Sequence, residues 1–374
     1  MMAFDRTDQS ILGRWWWTVD RWMLAALAVL VGYGTILIMA ASPAVAARIG
    51  LDSYHFVEHH VVMLVPALLL MIGISLLSPR GVRRAALIVF GIALVLTAAT
   101  MVVGVEIKGA RRWIHFPGLS IQPSEFLKPA FAVVAAWLFS LQRTSPGFPG
   151  NMVSIFAYLL VAALLLKQPD LGMAFVVSVV WFCQFFLAGL NLGFVLVLFV
   201  LGIGGLIGAY YFLPHVHSRI DRFLDPAAGD QYQVTRSLEA FGNGGLLGTG
   251  PGQGTVKMQL PDAHADFIFA VAGEELGLLW TLLLVALFAF IVLRGFSRLL
   301  KDSNLFVLLA AAGLLVQFGM QAFINMASSL HMMPTKGMTL PFVSYGGSSL
   351  IALGFGMGMV LALTRRHFGL GDRS

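Results

Sequence analysis

The 374-residue chain is poor in charge and nearly lacks cysteine. Only 11% of its residues are charged and 58% are hydrophobic, whereas soluble globular proteins are about 25% charged and about 45–50% apolar. This composition excludes a soluble enzyme and a disordered protein. The single cysteine, Cys183, has no partner within the chain, so a small secreted module stapled by disulfides is excluded as well.

The formal net charge of +6 does not indicate a nucleic-acid partner. The basic residues stand in short runs between apolar stretches and form no contiguous stripe, which nucleic-acid binding would require. They crowd the short loops on one side of the apolar segments, and the positive-inside rule places that side in the cytoplasm. We therefore expect a multi-pass membrane protein with both termini cytoplasmic.

Apolar segments recur with lengths near the roughly 20 residues needed to cross a bilayer. They predict an all-α polytopic membrane protein with about ten transmembrane helices and a large extracytoplasmic loop between the seventh and eighth spans. We expect one membrane domain at 22–365, with its periplasmic loop at 214–266, between cytoplasmic segments 1–21 and 366–374. The ten predicted spans are 22–41, 57–77, 84–103, 124–141, 152–167, 171–189, 192–213, 267–293, 304–326 and 345–364.

The outer face carries most of the acidic residues and nearly all of the histidines. Placing ionisable groups at a membrane edge costs free energy, so we interpret them first as functional residues. The first such group runs from Lys108 through Arg111, Arg112 and Trp113 to Glu125 and Lys128. It is either a helix start with a local ion pair and an interfacial belt, or a basic and aromatic rim for an anionic lipid headgroup.

Three further segments on this face admit both a structural and a functional interpretation. Asp170 could pair with Lys167 or face a substrate, and the glycine run at 242–254 is either a flexible connector or a backbone that approaches a ligand closely. Asp266 could cap a helix or act as a general base, with His264 two residues before it. A re-entering loop with Lys336 and Ser344 could line an anion site.

Two of these motifs make the sequence recognisable. Asp262-Ala-His-Ala-Asp-Phe-Ile-Phe269 with Gly273-Glu-Glu-Leu-Gly277, and Pro334-Thr-Lys-Gly-Met-Thr-Leu-Pro-Phe-Val-Ser-Tyr-Gly-Gly-Ser-Ser349, resemble the SEDS family of shape, elongation, division and sporulation proteins. The Thr-Lys-Gly-Met-Thr form is similar to the division-type branch rather than the elongation-type branch. Ala265 stands where the family more often has threonine.

The resemblance implies a ten-span inner-membrane peptidoglycan glycosyltransferase that polymerises lipid II. It also implies a class B penicillin-binding protein transpeptidase as partner, other divisome proteins as regulators, and a location at the division septum. By motif, Asp266 would be the essential carboxylate, and four residues would line the same cavity. These four are Trp113, Glu125, Lys128 and Asp170.

The implied chemistry sets requirements of its own. A sugar hydroxyl must attack an anomeric carbon and lose its proton to a carboxylate, which Asp266 can accept. Charge growing on the diphosphate leaving group must be offset by cations. No cofactor is certain, but a divalent cation, Mg²⁺ or Mn²⁺, would suit this role. The candidate cations are Arg111, Arg112, Lys128 and Lys336, and His264 and Ser344 complete the expected substrate-binding set.

Two other functions fit the topology. A lipid II flippase would use the polar groups as a translocation path and would place charges near the centres of the spans. The predicted spans are almost free of charge at their centres. A non-catalytic divisome scaffold would leave the outward-facing charges without a purpose. Polymerisation is therefore the favoured hypothesis.

Overall fold

The chain folds as an α-helical bundle in which every predicted span coincides with a helix. In this computed structural model, the residues described are 10–107, 109–116, 119–189, 192–225, 232–300, 302–335 and 337–365. The ten helices are α2 (Arg21–Ile49), α3 (His55–Ser75), α4 (Pro79–Val103), α5 (Pro123–Thr144), α6 (Gly150–Lys167), α7 (Leu171–Leu187), α8 (Leu192–Phe212), α11 (Ile268–Leu299), α12 (Leu305–Ser329) and α13 (Gly347–Leu363).

Within the described residues, seven of these helices are long and apolar enough to cross a bilayer, namely α2 to α6, α11 and α12. The helices α7 and α13 and the 200–212 part of α8 are apolar but shorter. The predicted all-α polytopic fold is confirmed. The division into one membrane domain and two cytoplasmic segments stays a prediction.

Helices α5 and α12 form the centre of the bundle, since most residues of both are buried. Few residues of helices α3 and α4 are buried, as is expected of helices at a surface facing lipid. Helix α13 packs on α3 through Gly354 and Gly358, where a Cβ atom would collide with the carbonyl oxygens of Ala67 and Met71. This is the close approach that small residues permit between membrane helices.

A small β-sheet departs from the all-helical expectation. Strands β1 (Val105–Ile107), β2 (Ala110–Phe116) and β3 (Leu119–Ile121) pair antiparallel in the order β1-β2-β3, in the segment predicted as a loop. Successive side chains of a strand point to opposite faces, so Arg111 and Arg112 cannot face the same way.

Three short helices lie outside the predicted spans: α1 (Ile11–Thr18), α9 (Pro214–Leu224) and α10 (Tyr232–Gly244). A 3₁₀ turn at Val256–Gln259 follows the glycine run. Helix α11 is broken at Gly277, whose backbone lies at φ 79° and ψ −178°. Only glycine adopts that conformation readily, so the nine residues before the break form a separate short helix.

Candidate active site

A cavity of about 780 Å³ opens at one end of the bundle. Strand β2, the N-termini of α5 and α7, the turn before α11 and the segment after α12 supply its walls. Five predicted site residues line it together: Arg112, Trp113, Glu125, Asp170 and Asp266. Residues from segments up to about 150 positions apart in sequence thus meet at one site.

Asp266 lies in a tight turn that leaves it half-buried at the cavity wall. Asp262 opens this turn with φ 51°, and its carbonyl oxygen accepts hydrogen bonds from the Ala265 and Asp266 amides, both at 3.0 Å. The cap of α11 is Phe267, so Asp266 is not the helix cap that the sequence also allowed. Its carboxylate therefore lies beside the cavity and outside the cap position.

Arg112 organises a second wall, the turn before α7. Its guanidinium donates to the Gln168 carbonyl at 2.8 Å and the Pro169 carbonyl at 2.6 Å, and it lies 3.2 Å from an Asp170 carboxylate oxygen. Asp170 also caps α7 by accepting from the Met173 amide at 3.2 Å. Asp170 therefore pairs with Arg112, and the pairing with Lys167 that the sequence allowed does not form.

The Glu125–Lys128 pair forms within the first turns of α5. The Lys128 Nζ lies 2.9 Å from a Glu125 carboxylate oxygen and 3.2 Å from the Gln321 Oε1 of α12, to which it donates. Glu125 lines the cavity, whereas Lys128 is buried behind it. The predicted helix start and local ion pair are therefore present, and the interpretation of this segment as a rim for an anionic lipid headgroup stays a prediction.

Three other predicted substrate-binding residues, all among those that the structure describes, do not line the cavity. Arg111 points away from the cavity and pairs with Glu106 at 3.4 Å on the exposed face of the sheet. His264 and Ser344 are buried next to the cavity and do not line it. Lys336, like Lys108, lies outside the described residues.

His264 and Ser344 hold two walls of the cavity together. The Ser344 hydroxyl donates to the Ala265 carbonyl at 2.6 Å, and the Tyr345 amide donates to the His264 carbonyl at 2.9 Å. The rings of His264, Phe56 and Tyr345 form a cluster in which each contacts the other two. Burial lowers the pKa of His264 to about 4, so the ring is neutral at physiological pH.

The glycine run packs on the first half of α11. Glu274 is fully buried and accepts from the Val256 and Lys257 amides, while Glu275 accepts from the Gly252 amide and pairs with the Lys257 ammonium. These backbone donors are used within the chain. The glycines permit close approach to α11, where a Cβ atom on Gly244 or Gly248 would collide with its carbonyl oxygens.

The cavity wall is rich in carboxylates but does not gather them at one point. Asp262, Asp266, Glu125 and Asp170 all line it, yet within the described residues no group of three or more acidic, histidine or cysteine side chains is placed to hold a metal ion. One or two carboxylates with substrate phosphates suffice for Mg²⁺. A divalent cation held partly by the substrate therefore fits the residues present.

The comparisons with known proteins identify the fold. The family model of FtsW, RodA and SpoVE, described as a cell cycle protein, matches residues 21–368. The chain belongs to this family. Two relatives named probable peptidoglycan glycosyltransferase FtsW are similar over nearly their whole length. The one from Caulobacter vibrioides is 45% identical (98% of this chain, 94% of the relative), and the one from Tolumonas auensis is 37% identical (92% and 91%).

Solved structures of the family share this architecture. One comes from a study of "structural coordination of polymerization and crosslinking by a peptidoglycan synthase complex", with a TM-score of 0.77, 30% identity and coverage of 92% of this chain and 97% of that chain. The Thermus thermophilus rod shape determining protein RodA gives a TM-score of 0.68, 29% identity and coverage of 92% and 96%. Both likenesses extend over the helices that form the cavity.

The sequence analysis of this FtsW-like chain missed one residue of the cavity wall and two that lie behind it. His331 lines the cavity with φ 54° and packs against Phe223 of α9. Asn325 and Gln321, in α12, hydrogen-bond to the cavity walls. The two amides left a detectable signal, since polar side chains within a membrane span usually have a function. His331 left no such signal, because it stands in a loop outside the predicted spans and belongs to no recognised motif.

Proposed function

We propose that this chain is a peptidoglycan glycosyltransferase that polymerises lipid II at the outer face of the inner membrane during cell division. The observation that carries the proposal is the half-buried Asp266 carboxylate in a cavity at one end of a membrane bundle. Family membership and two relatives named as probable peptidoglycan glycosyltransferases support it.

The reaction assigns Asp266 the role of general base. The 4-hydroxyl of one lipid-linked disaccharide attacks the anomeric carbon of another, and the carboxylate takes the hydroxyl proton as the new glycosidic bond forms. The bond between that carbon and the lipid diphosphate breaks, and the diphosphate leaves with the electron pair. A carboxylate that is partly shielded from water yet reaches the cavity suits this proton transfer.

Binding of the substrate falls to the other residues of the cavity wall. Arg112 keeps part of its guanidinium exposed while it holds the Asp170 turn, so it can offset charge on the diphosphate. Trp113 and Glu125 are positioned to contact the sugars or the peptide. Lys336, with a Mg²⁺ or Mn²⁺ ion, would supply further positive charge.

The remaining predicted residues act from behind the wall. Lys128 holds Glu125, and His264 and Ser344 hold the Asp266 turn. Arg111 lies on the outer face of the sheet, where it can meet the part of a long substrate that extends beyond the cavity. These roles are proposals that follow from the placement of each side chain.

The assembly in which the chain works is also a proposal. The solved structure named above belongs to a peptidoglycan synthase complex, which supports a class B penicillin-binding protein transpeptidase as partner. Other divisome proteins would regulate the pair at the septum. The charge distribution of the loops supports a cytoplasmic location for both termini.

The decisive experiment uses the purified protein with its transpeptidase partner and labelled lipid II. We expect glycan polymer from the wild type and none from Asp266→Asn. Asp52→Asn, at an exposed position between α2 and α3, is the matched control and should polymerise normally. Equal polymer from wild type and Asp266→Asn would remove Asp266 from its role.

The same preparation distinguishes the other two functions. In vesicles, movement of lipid II across the bilayer without polymer would favour a flippase. A protein that neither polymerises nor moves lipid II, yet still binds its partner, would favour a scaffold.

A further inference from the structure

Asn325 connects the two segments that flank Asp266. It lies near the end of α12 with 1% of its surface exposed. Its side-chain Nδ2 donates to the Asp266 backbone carbonyl at 2.9 Å and to the Met338 backbone carbonyl at 2.6 Å. One buried amide therefore holds the turn before α11 and the segment after α12 at a fixed separation.

The orientation of this amide follows from its partners. Both are carbonyl oxygens, which only accept, so the NH₂ group must face them. The Oδ1 of Asn325 is consequently buried without a hydrogen-bond partner in the part of the chain that the structure describes. A buried unpaired oxygen costs free energy, so the two donated bonds are the reason for an asparagine at this position.

Asn325 bonds directly to the backbone of Asp266. Ser344 and Tyr345 join the same two segments, but at the carbonyls of Ala265 and His264. Asn325 alone, among the described side chains, bonds to the Asp266 backbone itself. The opposite segment also lies close, since a Cβ atom on Gly337 would be 3.1 Å from an Asp266 carboxylate oxygen.

We infer that Asn325 is a positioning residue for the glycosyl transfer. It fixes the Asp266 backbone against the segment after α12, so that the carboxylate reaches the attacking hydroxyl in one orientation. This inference rests on the proposed function, in which Asp266 takes the hydroxyl proton. Asn325 itself does not line the cavity and is not expected to touch the substrate.

Loss of the connection should lower the rate of the chemical step and leave substrate binding nearly intact. For Asn325→Ala we expect kcat to fall by about 100-fold, because misplacement of a catalytic group by about 1 Å costs this much. KM for lipid II should stay within about twofold of the wild type, since uniform binding is unchanged. Asn325→Asp should lose as much, because a carboxylate cannot donate to two carbonyl oxygens.

The matched control is Gln317→Ala. Gln317 is also a buried amide of α12, two turns earlier, and in the described structure it has no hydrogen bond to either segment. Hydrogen–deuterium exchange should rise at residues 262–267 and 337–345 in Asn325→Ala and not in Gln317→Ala. Equal loss of kcat in both alanine variants would overturn the inference, since a general loosening of α12 would explain it.

The activities of the wild type and of Asn325→Ala together separate this inference from the proposed function. An active wild type with an unimpaired Asn325→Ala variant would overturn the inference and leave the function standing. An inactive wild type that fails to polymerise lipid II with its partner would instead overturn the function.

Discussion

Asp266 and Asp20 lie at opposite ends of α11 and differ in their surroundings. The Asp20 side chain is completely buried, and it accepts from the Arg294 Nε at 2.8 Å and the Arg298 Nε at 2.7 Å. It also accepts from the first amides of α2. Asp266 is half-buried and faces a cavity of about 780 Å³.

The difference separates a structural carboxylate from a reactive one. Asp20 joins the start of α2 to the end of α11, and every partner it needs is supplied by the chain. Glu274 and Glu275 are enclosed in the same manner by the glycine run. A carboxylate must keep an accessible oxygen to take a proton from a substrate. Among these four carboxylates, only Asp266 faces the cavity and can take such a proton.

The largest expected effect tests whether the enclosed carboxylates are structural. Lys257→Met removes the cation of the buried Lys257–Glu275 pair, in which both side chains are at most 4% exposed. An unpaired buried charge costs about 3–5 kcal/mol, so thermal unfolding in detergent should occur at a much lower temperature. The substitution also removes the hydrogen bond that the Lys257 ammonium donates to the Ala40 carbonyl at 2.9 Å.

The double variant Lys257→Met/Glu275→Gln is the control for this prediction. It removes both charges and should recover part of the lost stability. An unfolding temperature for Lys257→Met equal to that of the wild type would show that the pair contributes nothing, and the comparison between enclosed and open carboxylates would lose its basis.

A second prediction concerns His264, which is enclosed although it lies beside the open cavity. Burial lowers its pKa to about 4, and Asp262 opposes this shift. The unfolded chain, with a histidine pKa near 6.5, therefore binds more protons between these values. The contribution of neutral His264 to the free energy of unfolding is fully present above pH 6.5. It should fall by up to about 3 kcal/mol as the pH drops toward 4.

His264→Phe should lose this dependence, because phenylalanine can pack in the same cluster with Phe56 and Tyr345 without titrating. The measurement is the unfolding temperature at pH 7.5 and at pH 4.5, compared with the wild type so that other histidines cancel. The exposed His115, changed to phenylalanine, is the control. Equal acid sensitivity of the His264→Phe variant and the wild type would contradict the prediction.

A third prediction sharpens the comparison at Asp20 itself. Burial alone would raise its pKa, but Arg294, Arg298 and the Met23 amide together hold it below 3.8. Asp20→Asn keeps the shape and loses the charge, so it should cost about 1–3 kcal/mol at pH 7. This contribution is present above pH 3.8 and is lost as the pH falls through the lower folded pKa.

The gap in unfolding temperature between wild type and Asp20→Asn should therefore narrow below pH 3.8. Asp302→Asn, near the same end of α11, should show no comparable gap at pH 7, since its carboxylate bonds only to the neighbouring Asn304 amide in the described structure. A gap that widens on acidification would reverse the sign of the argument.

Much of the fold could be predicted from hydropathy, because each predicted span is a helix. Hydropathy could not show the break at Gly277, which lies inside the predicted span 267–293 and packs closely against the backbone of Gly248. Nor could it show the β-sheet at 105–121, whose pairing depends on strands too short to give a periodic signal.

The sequence motifs predicted which residues belong to the site. They could not predict where packing alone decides the direction of a side chain. Asp266, Asp170 and Glu125 meet in the cavity as the motifs implied. Arg111 and Arg112 are indistinguishable in a loop, and only the alternation of β2 turns one outward. The role of Asn325 depends on two backbone carbonyls that no sequence pattern reveals.

The prediction with the smallest expected effect tests how far the Asp266 carboxylate can be displaced without loss of activity. Gly337→Ala places a methyl group 3.1 Å from an Asp266 carboxylate oxygen, and the Gly337 backbone lies outside the left-handed region. The fold should accept the alanine, while the carboxylate shifts and kcat for polymerisation falls by about tenfold, since exact placement of the base controls the rate.

Gly32→Ala is the matched control, because a Cβ atom there meets no neighbour within 4 Å. Both variants should unfold at nearly the wild-type temperature, and only Gly337→Ala should polymerise more slowly. If Gly337→Ala kept full activity, the Asp266 carboxylate would tolerate displacement. Its openness to the cavity, and not the fixed distance to the segment after α12, would then be what distinguishes it from Asp20.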